Sequence, residues 1–247
     1  MNLRKITKKK VKKEKIEEKS FIQHLHELRN RFGIWFLSFL IFSIIGYVVK
    51  DNLIDILLKP LNQTLYFFSP AGAFNYVFSI STFFGFLTSF PILLIEIFEF
   101  ISPVFPQNLK NNTIQIIISS FILLLLGVLF AYYIVLPKAL IFLISFGGDN
   151  IQSLISTEEY LSFGIKYLLG FGILFQIPLV IILINKIHQL DIRNLLNFGK
   201  WIVLISFILA AILTPTPDII NQLIMAIPII LLYFLSTIII WIINKNT

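Results

Sequence analysis

The chain has 247 residues, of which 57% are apolar and only 13% charged, with a formal net charge of +7. A soluble domain carries about 45–50% apolar and about 25% charged residues, so this chain holds more apolar material than one core of its length needs, and a bilayer is the obvious second solvent. Cysteine is absent, which excludes disulfides and thiolate metal sites and leaves the redox compartment unread.

The positive charge is gathered at the start: the first 31 residues hold 11 of the 20 Lys and Arg. Lys8, Lys9, Lys10, Lys12, Lys13 and Lys15 are followed by Glu17 and Glu18 with almost no apolar periodicity. Residues 1–19 therefore read as a disordered basic tail, and 20–247 as one membrane domain. The tail has two readings. It is an arm for RNA or anionic headgroups, or an orientation signal held on the cytoplasmic side. Its length does not fit a signal peptide and its glutamates do not fit a transit peptide, so the first apolar run is expected to be a retained span.

Six spans are predicted. Phe32–Val49 is uncharged and covers roughly 27 Å at about 1.5 Å per residue, enough for one crossing. Lys50 to about Ala73, with Pro60 and Ser69-Pro70, reads as short amphipathic helices along the outer surface. The second span runs from about Phe74 to Ile101, contains Pro91, and stops at Ser102-Pro103 and Pro106. The third covers Thr113–Leu136, with Pro137 expected to end it. Gly147-Gly148-Asp149-Asn150 is a turn signal. Ser156 or Thr157 before Glu158 and Glu159 resembles a helix N-terminus. The fourth span, Tyr160–Ile184, carries Gln176 and Pro178, and Asn185–Lys200 reads as a polar loop. The fifth, Trp201–Leu213, is only about 13 residues or roughly 20 Å. Thr214-Pro215-Thr216-Pro217-Asp218 turns the chain into the sixth, Ile219–Ile243.

With the N-terminus inside, the inner segments carry 16 basic residues and the outer ones and their flanks 4, Lys50, Lys59, Lys138 and Lys166. That asymmetry places both termini on the cytoplasmic or equivalent side. The tail supplies most of it. No internal repeat is visible, against the pattern of transporters built from inverted repeats.

No catalytic constellation, nucleotide loop or dinucleotide fingerprint appears, so neither enzyme chemistry nor a cofactor is expected. His24 and His26 stand two apart with no third ligand near in sequence, and read as interfacial helix residues. Polar groups at the membrane are more informative. Glu27 and Arg29 precede the first span, with Arg29 and Arg31 as inside anchors. Glu96 and Glu99 lie about one turn apart and share a helix face near the inner end of the second span. They need a cation, from Lys110 or from a ligand. Gln176 lies deep in the fourth span and Asp218 at an outer turn. Glu27, Glu96 and Glu99 together suit a bidentate donor such as arginine.

His24-Leu25-His26-Glu27-Leu28-Arg29-Asn30-Arg31 resembles the HLxELRxR motif that opens the TatC family, the multispanning subunit of the twin-arginine protein translocase. Ser89-Phe90-Pro91 through Glu96 to Phe100-Ile101-Ser102-Pro103, Phe130-Ala131-Tyr132-Tyr133 with Pro137, Phe175-Gln176-Ile177-Pro178, Leu213-Thr214-Pro215-Thr216-Pro217-Asp218 with Gln222, and Leu58-Lys59-Pro60-Leu61 are similar to further family motifs. They occur in order over residues 20–243. The resemblance implies an all-α, six-span, glove-like concave fold with short fifth and sixth helices. It also implies a receptor for twin-arginine signal peptides of folded precursors, driven by the proton-motive force, with single-span TatA/TatB-type subunits and other copies of itself as partners. Glu27, Arg29, Glu96, Glu99, Phe100 and Pro103 would form or shape the signal-peptide site. Gln176 would line the concave face where partners pack, and Pro60 and Asp218 would be outer-side structural or assembly residues.

One position departs from the family pattern. Many members place a glutamate six residues after the FISP proline, where this chain has Leu109. Either Glu99 takes over, or the chain reads a relaxed or single-arginine signal. Two other functions compete: a small-solute or ion transporter using Gln176 and Asp218, and an insertase whose lysine tail binds ribosomal RNA. Heavy use of Ile, Phe, Asn and Lys suggests an AT-rich genome, leaving a mitochondrial inner membrane, a thylakoid and a bacterial plasma membrane open.

Overall fold

A computed structural model describes residues 21–60, 65–102, 105–145, 154–213 and 219–245. The basic tail, Pro103, the Gly147–Asn150 turn and the Thr214–Asp218 turn lie outside the described residues. Six helices are long and apolar enough to cross a membrane. Their outward faces are apolar: Leu37 is 61% exposed, Ile141 70% and Ile212 73%. Water would penalise such a surface, whereas hydrocarbon accepts it once the backbone is satisfied within each helix.

Helix α1 (Phe21–Val48) runs antiparallel to α3 (Gly72–Ile101), joined through α2 (Lys50–Leu58) and strand β1 (Leu65–Tyr66). The two long helices approach closely because small residues meet at their crossing. A Cβ on Gly46 would lie 2.9 Å from the Ser81 carbonyl oxygen, and one on Gly85 would meet Ser43 backbone and side chain. Small residues matter here because lipid offers little hydrophobic drive for helix association, so contact area must come from proximity.

β1 pairs in parallel with β2 (Ile155–Ser156), with Leu65 opposite Ile155. This short pair fixes the starts of α3 and α7 (Thr157–Leu174) at one end of the bundle, called here the strand end. Thr157 Oγ1 donates to the Tyr66 carbonyl at 3.1 Å, and Ser69 Oγ donates to Glu158 Oε1 at 2.9 Å. Tyrosines secure α2 at the same end: Tyr132 donates to the Ile56 carbonyl and Tyr160 to that of Leu57, each at 2.6 Å. The last carbonyls of a helix are short of internal partners; the Tyr160 hydroxyl serves that of Leu57, and the Tyr132 hydroxyl adds a second bond to that of Ile56, which also accepts from the Lys59 N–H at 3.3 Å.

Pro137 does not end the third span. Helix α5 (Thr113–Phe130), preceded by short α4 (Gln107–Asn111), passes through a π turn (Ala131–Val135) into α6 (Leu136–Ser145). The Leu136 N–H reaches back five residues to the Ala131 carbonyl. This wider turn re-spaces the carbonyls just ahead of Pro137, so the proline is carried in a helix that it would otherwise break. The fourth span, read from the sequence as one run, is jointed: α7 stops at Leu174 and α8 (Ile177–Ile187) restarts after Phe175-Gln176, with Pro178 in its first turn. Proline is tolerated there because first-turn N–H groups have no helical partner.

The fifth span departs from expectation. Helix α9 covers Ile192–Leu213, 22 residues, and α10 covers Ile219–Lys245, 27 residues, so neither is short as a helix. Arg193, Asn194, Asn197 and Lys200 occupy the first turns of α9 rather than a loop. Polarity marks where a helix leaves hydrocarbon, not where it starts. The described core lies where α3, α5–α6, α7, α9 and α10 meet, around Ile80, Val135, Tyr167, Phe171, Ala210 and Met225.

Candidate functional site

Away from the strand end, the start of α1 meets the last turns of α3. Glu27 and Arg31 stand one turn apart on α1, the spacing at which helical side chains meet. The antiparallel crossing brings Glu96 and Glu99 of α3 against them. Arg31 Nε and Nη2 donate to Glu27 Oε1 at 3.2 and 3.0 Å. Its Nη1 donates to Glu96 Oε2 at 3.2 Å and to Glu99 Oε2 at 2.6 Å. One guanidinium thus joins three carboxylates, a use for which its planar fork of donors is suited.

The three acids differ in access. The Glu96 side chain is 14% exposed and that of Glu99 is 58%. Glu96 is an inner wall, and Glu99 is the carboxylate that faces outward. Formally the four residues carry a net charge of −2. The chain's own Arg31, which the sequence suggested only as an anchor, provides the cation that Glu96 and Glu99 need. Lys110 is exposed on α4 and forms no ion pair among the described residues.

The other expected site residues are more scattered. Arg29 is exposed on α1 and is not among the residues gripping the cluster. Phe100 is half-buried at the end of α3, while its neighbour Phe98 packs on Phe105 with ring centroids 4.8 Å apart. Leu109, where the resemblance led one to look for a glutamate, is 1% exposed. An apolar residue at that position is packed into the protein rather than offered to a ligand.

Gln176 occupies the joint between α7 and α8. Its Oε1 accepts from Ser120 Oγ at 2.5 Å and its Nε2 donates to the Ser120 carbonyl at 3.0 Å. The amide is engaged at both ends by α5. Gly127 and Gly172 permit the approach: a Cβ on Gly127 would meet the Phe171 carbonyl. Pro60 is half-buried just beyond the tyrosine-anchored end of α2. Asp218 and Pro103 lie outside the described residues. Gln222, from the same motif as Asp218, donates to the Phe207 carbonyl at 3.0 Å and so ties α10 to α9.

A polar bracket escaped the sequence reading. Asn185 of α8 donates to Asn244 Oδ1 at 2.9 Å and accepts from the Leu190 N–H at 2.8 Å, and Asn244 donates to the Leu190 carbonyl at 3.1 Å. It fastens the α8–α9 connection to the end of α10. Among the described residues no group of three His, Cys, Asp or Glu could hold a metal ion.

Six long apolar helices, tied at one end by a strand pair and at the other by an ion cluster, define an all-helical multi-pass membrane protein. The sequence profile of the family described as "TatC: Sec-independent protein translocase protein (TatC)" matches residues 23–228. The Sec-independent protein translocase protein TatC of Carboxydothermus hydrogenoformans is 34% identical over 88% of this chain and 90% of its own length. An uncharacterized tatC-like protein, ycf43, of Gracilaria tenuistipitata is 34% identical over 92% of this chain and 96% of its own. A crystal structure of the twin arginine translocase receptor TatC in the detergent DDM superimposes with a TM-score of 0.78 at 34% identity, covering 87% of this chain and 98% of that one.

The chain belongs to the TatC family of Sec-independent protein translocase proteins, and is a protein-transport component rather than an enzyme.

Proposed function

We propose that this chain is the receptor core of a twin-arginine translocase. It binds the twin-arginine signal peptides of folded precursors and moves them across an energised membrane at the expense of the proton-motive force. Single-span TatA/TatB-type subunits and further copies of the chain are its partners. Both termini lie on the cytoplasmic, matrix or stromal side, as the excess of basic residues there argues. The membrane is that of a bacterium or an organelle. The short apolar run Trp201–Leu213 thins the bilayer beside the concave face.

The observation that carries this reading is the grip of Glu27, Glu96 and Glu99 on Arg31. Their spacing already suits a guanidinium, and two negative charges are left over. A leader with two arginines supplies what the cluster lacks. Glu99, the outermost carboxylate, is met first. Exchange with Arg31 then proceeds one hydrogen bond at a time, so no half-buried carboxylate is left bare during the hand-over. Glu99 stands in for the acid missing at Leu109.

Replacing Glu99 by Gln is expected to abolish export of a folded twin-arginine reporter while the protein still accumulates in the membrane. Normal export by E99Q would reject the role of Glu99. It would favour the relaxed-signal alternative, in which a reporter keeping only one of its two arginines is still exported.

A further inference from the structure

A partly open cavity of about 520 Å³ lies between α1, α3 and α7. One water occupies about 30 Å³ in the liquid, so there is room for many. Two polar ladders line it. On α7, Glu158, Ser162 and Lys166 recur every four residues; on α3, Asn75, Ser79 and Thr82 recur at steps of four and three. Such steps keep side chains on one face of a helix. Both ladders begin in the first turn of their helix, at the strand end, and Lys166 lies about 12 Å further along α7 than Glu158. Beyond the last rungs stand Phe39, Phe86 and Leu169.

The rungs are open to something polar. Lys166, the tenth residue of α7, is exposed and forms no ion pair among the described residues. The side chains of Asn75, Ser79 and Ser162 are exposed or half-buried and form no hydrogen bond with another described residue. Glu158 accepts from Ser69, and Thr82 donates to the Phe78 carbonyl, yet each keeps lone pairs to spare. The level is that of hydrocarbon: Phe74 and Phe78, on the adjoining face of α3, are 71% and 61% exposed. An ionisable group inside a span pairs with another or faces water, and here no pair is made. Successive rungs rise about 6 Å along the helix. A single water spans about that distance, since it makes two hydrogen bonds of about 2.8 Å each.

We infer that this groove is an aqueous vestibule, which brings water from the strand side of the membrane down to Lys166. Waters join the two ladders rung by rung and hydrate the ammonium, and the aromatic floor stops them. The inference depends neither on how leaders are recognised at Arg31 nor on which compartment the strand end faces.

The chain has no cysteine of its own, so single exchanges report on water directly. Impermeant methanethiosulfonates attack the thiolate, a species that forms in water and not in hydrocarbon. The full chain in sealed membrane vesicles is treated from either side. Leu154→Cys, next to β2, marks the strand side, and Leu37→Cys, at a position 61% exposed on α1, marks lipid. Ser79→Cys and Ser162→Cys change little in bulk, and both should react from the side that modifies L154C. Adding Lys166→Gln to S162C should slow an anionic reagent about threefold and speed a cationic one as much, the effect of one unit charge about 6 Å away through water. Cysteines at both serines as inert as L37C would mean that lipid or another helix fills the groove, and would overturn the assignment. Reaction from the opposite side alone, or rates indifferent to K166Q, would overturn it too.

Discussion

The helix pairs α1–α3 and α9–α10 are joined by different means. In the first, glycines let backbones touch: Gly46 lies under Ser81 and Phe84, and Gly85 under Ser43. In the second, a Cβ on Gly199 would meet only side-chain rings, Phe234 at 3.4 Å and Tyr233 at 3.9 Å, and the bonds are polar clamps. Gln222 reaches the Phe207 carbonyl and Tyr233 the Leu195 carbonyl at 2.7 Å, and just ahead of α9 Asn244 reaches the Leu190 carbonyl. Hydrocarbon is a poor competitor for a buried hydrogen bond, so both devices work where water exclusion does not. They differ in tolerance. A close approach fails all at once when a side chain intrudes, whereas a set of clamps loses one bond at a time.

The largest expected effect is therefore at Gly85. Gly85→Leu has to displace Ser43 and its backbone, and should cost about 3 kcal/mol, the upper range for overpacking. Thermal unfolding in detergent would read it, and an unshifted midpoint would refute the close-approach account. Arg31→Gln comes next. It leaves three neighbouring carboxylates without their cation, a loss of about 2 kcal/mol between the limits for buried and exposed pairs. Added salt should reduce that loss by screening the repulsion of the acids, and a loss indifferent to salt would contradict the ionic explanation. Smallest is Tyr233→Phe, which removes one clamp of several and should cost about 0.6 kcal/mol, the average for interhelical hydrogen bonds in a membrane protein. A cost as large as that of G85L would erase the distinction between the two pairs.

The spans were legible because a run of apolar residues long enough to cross a bilayer has few other uses. Their polar joints were less so. Pro137 looked terminal because sequence alone does not reveal the wider turn before it. Lys200 and Arg193 looked like loop residues because charge was taken for the end of a helix. In the candidate site, the carboxylates Glu27, Glu96 and Glu99 were visible, and the four-residue step from Glu27 to Arg31 was a signal of pairing that could have been used. The reach of Arg31 to Glu96 and Glu99 was not visible, since it spans 65 and 68 positions and depends on where two helices cross. The bond between Gln176 and Ser120 escaped for the same reason, being set by the glycines that let α5 meet α7.

The turn at Ala131–Val135 has a bearing on everything that follows it. One surplus residue in a helix rotates the downstream segment by about 100°. With that rotation in place Ala139 and Leu140 are buried, while Ile141 looks outward. The phase of α6, and with it the choice of which side chains meet lipid, is thus written in a single backbone step two residues ahead of a proline.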